Sequence, residues 1–194
     1  MAYNYLLCGV GGQGTVLAAK VLAQAAINMG NEVKTTETIG MAQRGGSVVS
    51  HIRIGENIHS PLLPYGSADL IIGFEPAEVV RNLMYLKEGG AVVVNKKAVK
   101  PTTASLSGSD YDGTEMLDYL KKHVKTLVVV DGDSICSQCG SSKVLNVALL
   151  GAAVGTGHLL VGENELTEAL LSKIKEQFKE LNLKALKLGM EEKA

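Results

Sequence analysis

Short apolar runs alternate with segments of helical periodicity along most of this chain. The runs, rich in Val, Leu and Ile, predict strands at residues 3–9, 68–74, 91–95 and 126–132. Apolar positions three and four residues apart predict helices at residues 14–30, 76–89 and 113–124. Because strands and helices alternate, the pattern predicts an α/β fold.

Two further strands are predicted just after the first helix. Residues 31–36 would complete a βαβ unit, in which the second strand pairs in parallel with the first. Residues 47–61 have the pattern of a β-hairpin, whose turn is the Gly-Glu-Asn sequence between Ile54 and Ile58. A hairpin adds antiparallel strands, so the sheet is predicted to be mixed.

The last quarter of the chain is predicted to be helical. Residues 142–157 form an apolar segment rich in Ala and Gly, whose small side chains permit another backbone to approach closely. Beyond residue 163, apolar residues recur at helical spacing as far as Phe178, with Asn164 as the N-cap. This pattern predicts one amphipathic helix at the end of the chain.

Composition and charge exclude several classes of protein. The 194 residues contain two Phe and no Trp, so the core is expected to consist of aliphatic residues, in one compact domain over residues 1–194. The net charge is −1, and the basic residues are scattered, which argues against nucleic acid as a partner. No segment has the roughly 20 apolar residues of a membrane span. We therefore expect a cytoplasmic protein with reduced cysteines.

A glycine-rich loop follows the first strand. Gly9, Gly11 and Gly14 satisfy the G-x-G-x-x-G pattern, and the loop also contains Gly12 and Gln13. Such glycines allow a tight turn and let a phosphate approach the N–H groups of the next helix. The loop therefore predicts one of three things: a dinucleotide site, a site for another phosphate-bearing ligand or a partner surface, or a purely structural turn.

A dinucleotide site also needs an acidic residue near the end of the second strand. Glu32 falls at the start of that strand, and Glu37 runs directly into another loop, so neither is well placed. The dinucleotide interpretation is the weakest of the three for this reason.

A second loop combines an amide, a guanidinium group and two glycines, contributed by Gln43, Arg44, Gly45 and Gly46. Backbone N–H groups and a bidentate arginine can converge on one phosphate or carboxylate, which would make this loop an anion clamp. The alternative is a surface loop with a solvated arginine. With the first loop, it supplies the candidate cofactor-binding residues.

Five motifs, in order along the chain, resemble the gamma-type domain of the 2-oxoacid:ferredoxin oxidoreductases, and in particular the indolepyruvate type. They lie at residues 9–14, 37–55, 68–83, 146–152 and 182–189. The resemblance covers nearly the whole chain, and the motif at residues 37–55 is its most specific part. It implies a three-layer α/β/α Rossmann-like domain with a mixed, mostly parallel sheet.

The same resemblance implies a function that depends on a partner. The implied enzyme is of an anaerobic type. It decarboxylates an aryl 2-oxoacid such as indolepyruvate, transfers the acyl group to coenzyme A and reduces ferredoxin. Thiamine diphosphate and the [4Fe–4S] clusters belong to a large alpha subunit. The present chain would then have no catalytic residue or redox centre of its own, and its two loops would face coenzyme A.

Other interpretations of the chain stay open beside the family resemblance. One alternative is that the chain is a free-standing nucleotide-binding regulator. Another is that it is a scaffold whose glycines serve only backbone geometry. A homodimer of the isolated chain is a further alternative.

The thiols of Cys136 and Cys139 have the spacing of a dithiol or half a zinc site, but without a second ligand pair they are expected to be incidental loop cysteines. His51 is expected to be structural rather than a general base, and Cys8 a small buried residue.

Overall fold

The computed structural model describes residues 2–39, 45–100 and 111–193. These residues form six strands, β1 Tyr3–Val10, β2 Val33–Ile39, β3 Ser47–Ile54, β4 Ala68–Gly73, β5 Leu86–Asn95 and β6 Thr126–Val130. They also form seven α-helices, α1 Thr15–Asn28, α2 Pro76–Asn82, α3 Thr114–His123, α4 Gly132–Cys139, α5 Leu145–Gly155, α6 Glu163–Lys173 and α7 Lys179–Met190.

The strands form one mixed sheet in the order β2-β3-β1-β4-β5-β6. The pairs β1–β4, β4–β5 and β5–β6 are parallel, whereas β3 runs antiparallel to both β1 and β2. This arrangement confirms the predicted α/β fold with a mixed, mostly parallel sheet. Because β3 is antiparallel to its neighbours, its first residue lies at the same side of the sheet as the carboxyl ends of β1 and β4.

The predicted pairing around β3 was wrong in two respects. β2 does not pair with β1, because β3 lies between them and aligns Val49 with both Cys8 and Thr38. The predicted hairpin is absent from the described residues, since Ile58 follows the turn but belongs to no strand. Alternating apolar residues identify a strand but do not identify its partner, which depends on packing over the whole sheet.

Two helix predictions also need correction, and one helix was missed. The helix predicted at residues 76–89 ends at Asn82, and β5 already begins at Leu86 after one 3-10 turn. The predicted terminal helix divides into α6 and α7, because Ile174 adopts an extended conformation, and α6 is capped by Gly162 rather than Asn164. Helix α4 was not predicted, because its eight residues are mostly polar and show little apolar periodicity.

Helices cover both faces of the sheet, which confirms the three-layer arrangement. Alternate residues point to opposite faces. Leu7 and Leu70 belong to the larger core, beneath α1 and α4 to α7, whereas Leu6 and Ile71 belong to the smaller core, beneath α2 and α3. No helix in the described part of the chain is long and apolar enough to cross a membrane.

Helices α5 and α7 cross at two glycines that belong to two of the family-like motifs. A Cβ atom on Gly151 would overlap the Leu186 carbonyl oxygen, and one on Gly189 would overlap the Ala148 carbonyl oxygen. The two backbones therefore touch directly, as the small residues of α5 predicted. Any larger side chain at either position forces the helices apart.

His51 is a buried residue of β3 with a structural role. It is 4% exposed, and its Nδ1 accepts a hydrogen bond of 3.3 Å from the Leu63 N–H. Its ring meets that of Tyr85 edge to face at 5.4 Å. Burial lowers the pKa of His51 below its ordinary value, so the ring is neutral near neutral pH. These contacts agree with the expected structural role.

The Gly151→Ala substitution should destabilise the fold by about 1–3 kcal/mol or more, because the methyl group has no space between α5 and α7. Urea unfolding followed by circular dichroism measures this change. The matched control is Gly155→Ala in the same helix, where the nearest atom to a new Cβ, the Met190 carbonyl oxygen, lies 3.3 Å away. An equal loss in both variants would contradict the proposed crossing.

The stability of the protein should fall as the pH drops below about 6.5, the ordinary pKa of histidine. His51 has a lowered pKa in the folded state, so the unfolded chain binds a proton first, and protonation of Nδ1 destroys its bond to Leu63. Urea unfolding between about pH 5 and pH 7 measures how the free energy of unfolding depends on pH. This dependence should be shallower for His51→Gln than for the unsubstituted protein, by up to about 1.4 kcal/mol per pH unit. Parallel profiles for the two proteins would show that His51 does not titrate in this way.

Candidate functional site

The glycine-rich loop joins β1 to α1 and leaves the amino end of the helix open. Gly14 adopts a left-handed conformation, with φ +86°, and the first bond of the helix runs from the Ala18 N–H to the Gly14 carbonyl. The N–H groups of residues 15–17 therefore have no acceptor within the helix. No side chain in the described part of the chain caps this end, and its first turn contains no acidic residue. The helix end can thus receive an anion.

Steric crowding requires glycine at one position of this loop. A Cβ atom on Gly9 would lie 2.7 Å from the Phe74 Cβ and 2.8 Å from the Gln13 Oε1. Gln13 itself braces the loop, since its Oε1 accepts from the Val10 N–H at 2.7 Å and its Nε2 donates to the Phe74 carbonyl at 3.0 Å. These contacts give Gly9 and Gln13 structural roles in shaping the loop, whatever the loop binds.

The second loop meets the first directly. The Gly11 N–H donates to the Gly46 carbonyl at 2.8 Å, and the Gly45 N–H approaches the Gly11 carbonyl at 3.5 Å. Gln43 and Arg44 lie outside the described residues. The structure thus brings the glycines of the two predicted loops together, as expected from their places at one edge of the sheet.

A cavity of about 570 Å³ opens beside this junction. Its wall includes Gly11, Gly12, Gly14, Leu17, Lys20 and Val48. The uncapped end of α1 and the Lys20 ammonium group make the cavity attractive to an anion, and the aliphatic side chains provide an apolar surface beside it. Gly12 has φ +103°, a left-handed conformation that favours glycine.

The acidic residues of a dinucleotide site are absent from this cavity. Glu37 lies on β2, which β3 separates from β1, and it lines a different cavity of about 290 Å³ beneath α1, together with Thr35 and Ser50. Glu32 lies just before β2, at the opposite edge of the sheet. The insertion of β3 therefore removes the ribose contact on which NAD or FAD binding would rely.

Two carboxylates that sequence reasoning did not identify lie at the amino end of α2. Glu75 is 2% exposed and Glu78 is 6% exposed. Glu75 caps α2 by accepting the Glu78 N–H at 3.0 Å, and it also accepts the Tyr111 hydroxyl at 2.5 Å. Glu78 accepts the Ser47 hydroxyl at 2.5 Å. The signal for the cap was present in the sequence, as a Glu before a proline that opens a helix, but the two loop contacts were not predictable.

Burial, together with these carboxylates, raises the pKa values of two neighbouring groups. Burial and the bond to Glu75 raise the pKa of Tyr111 above its ordinary value, so its hydroxyl stays a donor. Burial, with Glu78 and Glu75 nearby, also raises the pKa of the Cys8 thiol. Cys8 is fully buried in β1, as expected for a small core residue, and is not reactive at neutral pH.

The expected loop position of Cys136 and Cys139 was wrong, because both belong to helix α4. Their thiols are free, and burial raises the pKa of Cys136, which disfavours a reactive thiolate. Among the described residues, no group of three or more His, Cys, Asp or Glu side chains could hold a metal ion.

The chain is similar to known oxidoreductase subunits over nearly its whole length. A family model described as pyruvate ferredoxin/flavodoxin oxidoreductase matches residues 4–192. The indolepyruvate oxidoreductase subunit IorB of Archaeoglobus fulgidus is 36% identical over 190 residues, which cover 97% of this chain and 94% of the relative.

Solved structures share the fold. The gamma subunit of a keto/oxoacid ferredoxin oxidoreductase from Geobacter sulfurreducens superposes with a TM-score of 0.69 at 26% identity, covering 97% of this chain and 96% of that chain. The 2-oxoglutarate:ferredoxin oxidoreductase of Magnetococcus marinus, solved with 2-oxoglutarate, coenzyme A and succinyl-CoA bound, superposes with a TM-score of 0.70 at 20% identity. The match covers 97% of this chain but 30% of that chain, so the same fold there is one part of a longer polypeptide. The chain therefore belongs to the pyruvate ferredoxin/flavodoxin oxidoreductase family, as a subunit of a 2-oxoacid:ferredoxin oxidoreductase.

Proposed function

We propose that this chain is the small subunit of an indolepyruvate-type oxidoreductase. In this proposal a large alpha subunit carries thiamine diphosphate and [4Fe–4S] clusters, decarboxylates an aryl 2-oxoacid, and passes electrons to ferredoxin. The whole chain acts as one gamma-type domain that helps to present coenzyme A as the acyl acceptor. The relative of 36% identity, which is named for indolepyruvate, supports the substrate class.

One observation carries the coenzyme A part of the proposal. The glycine loop and the second loop are hydrogen-bonded through Gly11 and Gly46 at the open amino end of α1. Backbone N–H groups and Lys20 are donors suited to phosphate groups, and Arg44 directly precedes the bonded glycines in the sequence. Coenzyme A combines several phosphates with a long, less polar arm, which matches a basic helix end beside Leu17 and Val48.

The cysteines of the chain support placing the redox centres in the partner. A [4Fe–4S] cluster takes four thiolate ligands, and the chain has three cysteines in total. One of them, Cys8, is buried within the sheet, away from the helix that carries Cys136 and Cys139. The residues of this chain therefore do not fit such a cluster.

An exposed apolar patch supports dependence on a partner. Leu62, Tyr65 and Met84 are 55%, 70% and 60% exposed. Tyr65 packs on Tyr85 at 4.8 Å between ring centres, and the adjacent Gly66 N–H donates to the Met84 carbonyl, so Tyr65 and Met84 lie together. Clustered apolar side chains of this kind are typical of protein interfaces, and the large subunit is the partner that the family membership provides.

Arg44→Ala in the assembled enzyme should weaken coenzyme A binding about tenfold or more, because a charged hydrogen bond to phosphate contributes about 1.5–3 kcal/mol. Lys20→Met should weaken it by a smaller factor, since Lys20 acts as a single charge beside the helix end. Isothermal titration with coenzyme A measures both changes. Lys122→Met, on the far side of the sheet in α3, is the matched control. Unchanged affinity in Arg44→Ala would refute the coenzyme A site.

The chain alone should not oxidise any 2-oxoacid, and co-expression with a large thiamine-binding subunit should restore viologen reduction that depends on coenzyme A. We expect indolepyruvate and phenylpyruvate to react faster than pyruvate or 2-oxoglutarate. Turnover by the isolated chain would exclude the proposed division of roles. Thermal stabilisation of the isolated chain by NAD would favour a nucleotide-binding regulator instead, and loop variants that lose assembly but keep ligand affinity would favour a scaffold.

A further inference from the structure

We infer that Glu78 is a positioning residue for the coenzyme A loops, acting through Ser47. This inference rests on the proposed function, because it concerns the same pair of loops. Glu78 is not among the described residues that line the cavity beside α1. Its effect on binding would come from fixing the end of the second loop where that loop enters β3.

The contact between Glu78 and Ser47 is short and connects distant parts of the chain. The Ser47 hydroxyl donates to the Glu78 Oε2 at 2.5 Å, across 31 residues of sequence. Ser47 is the first residue of β3 and directly follows Gly45 and Gly46. The backbone of those glycines makes two contacts with Gly11. Glu78 is therefore connected to the glycine loop through Ser47 and the two glycines before it.

Glu78 is itself held rigidly, which lets it serve as an anchor. Its backbone N–H is bonded to the Glu75 side chain at 3.0 Å, and its Oε1 pairs with the Arg81 Nε at 3.3 Å. The carboxylate is almost fully buried, so any movement that breaks the Ser47 bond leaves a buried charge without one of its partners. The start of β3 is therefore fixed at Ser47, next to Gly45 and Gly46.

A neighbouring contact of the same kind provides an internal comparison. Glu75, at the same helix end, accepts the Tyr111 hydroxyl at 2.5 Å. Tyr111 precedes α3 and has no contact with Gly45, Gly46 or Gly11 among the bonds of the described residues. The Tyr111 hydroxyl also accepts the Ala77 N–H at 3.2 Å, so its removal perturbs the amino end of α2 through two bonds but leaves Ser47 bonded to Glu78.

The experiment measures the KM values for coenzyme A and for the 2-oxoacid in the assembled enzyme. Ser47→Ala and Glu78→Met should each raise the coenzyme A KM about tenfold, which corresponds to about 1.4 kcal/mol, with little change in the 2-oxoacid KM. Glu78→Gln keeps an acceptor oxygen and should restore most of the affinity. The double variant Ser47→Ala/Glu78→Met should be no worse than the more severe single variant, because both changes remove one bond.

Hydrogen exchange gives a second readout that does not require turnover. The peptide that contains Gly45 and Ser47 should exchange faster in Ser47→Ala and Glu78→Met, but not in Tyr111→Phe. Ser47 is exposed, so its alanine variant removes the bond without altering the core, even if Glu78→Met fails to fold. Equal effects of Tyr111→Phe and Ser47→Ala on the coenzyme A KM would overturn the inference.

The outcome for Arg44→Ala separates this inference from the proposed function. If Arg44→Ala leaves coenzyme A affinity unchanged, the proposed site is wrong, and the inference fails with it. If Arg44→Ala weakens binding while Ser47→Ala and Glu78→Met do not, the site stands and only the positioning role of Glu78 is overturned.

Discussion

The buried carboxylates of Glu75 and Glu78 must remain hydrogen-bonded, and the loops at the carboxyl edge of the sheet depend on that constraint. An ionised carboxylate without partners inside a protein costs several kcal/mol, so each bond to these groups is strongly maintained. Directly before Glu75, the Phe74 carbonyl accepts hydrogen bonds from the Gln13 Nε2 at 3.0 Å and from the Asn95 Nδ2 at 3.3 Å. The segment from Phe74 to Glu78 thus joins the glycine loop, the second loop and the Tyr111 segment.

The position of β3 explains why this glycine loop differs from a dinucleotide-binding loop. In a doubly wound sheet the strand beside β1 is parallel, and its end supplies an acidic residue for the ribose. Here an antiparallel strand takes that place, so Ser47 and the glycines before it stand beside Gly11. The amino end of α1 stays open, but the neighbouring groups change from a carboxylate to the backbone of Gly45 and Gly46.

The two faces of the sheet are covered by different sets of helices. The larger core contains α5 and α7, whose backbones meet at Gly151 and Gly189. The other face has only α2 and α3 among the described helices, and Tyr65 of the exposed patch packs on Tyr85 beside that smaller core.

Local signals in the sequence were sufficient for much of this structure. Periodicity located the six described strands, although the predictions for β2 and β5 missed part of each strand. The glycines and the Ala-rich run predicted the loop after β1 and the close helix crossing, because backbone conformation and side-chain size act over a few residues. The family-like motifs gave the three-layer fold and the expected partner. The short helix α4 and the break at Ile174 were not predicted, because each depends on capping and on packing against other helices.

Tertiary structure alone decided which strand lies beside β1 and which side chains join the loops. Strand order follows from the burial of both faces of the whole sheet, so residues 31–54 by themselves could not show that β3 separates β1 from β2. The bond between Ser47 and Glu78 joins residues 31 positions apart, and nothing in the sequence around either residue encodes that distance. Sequence therefore determined the local elements and the family, whereas only the folded chain determined the contacts that give the candidate site its shape.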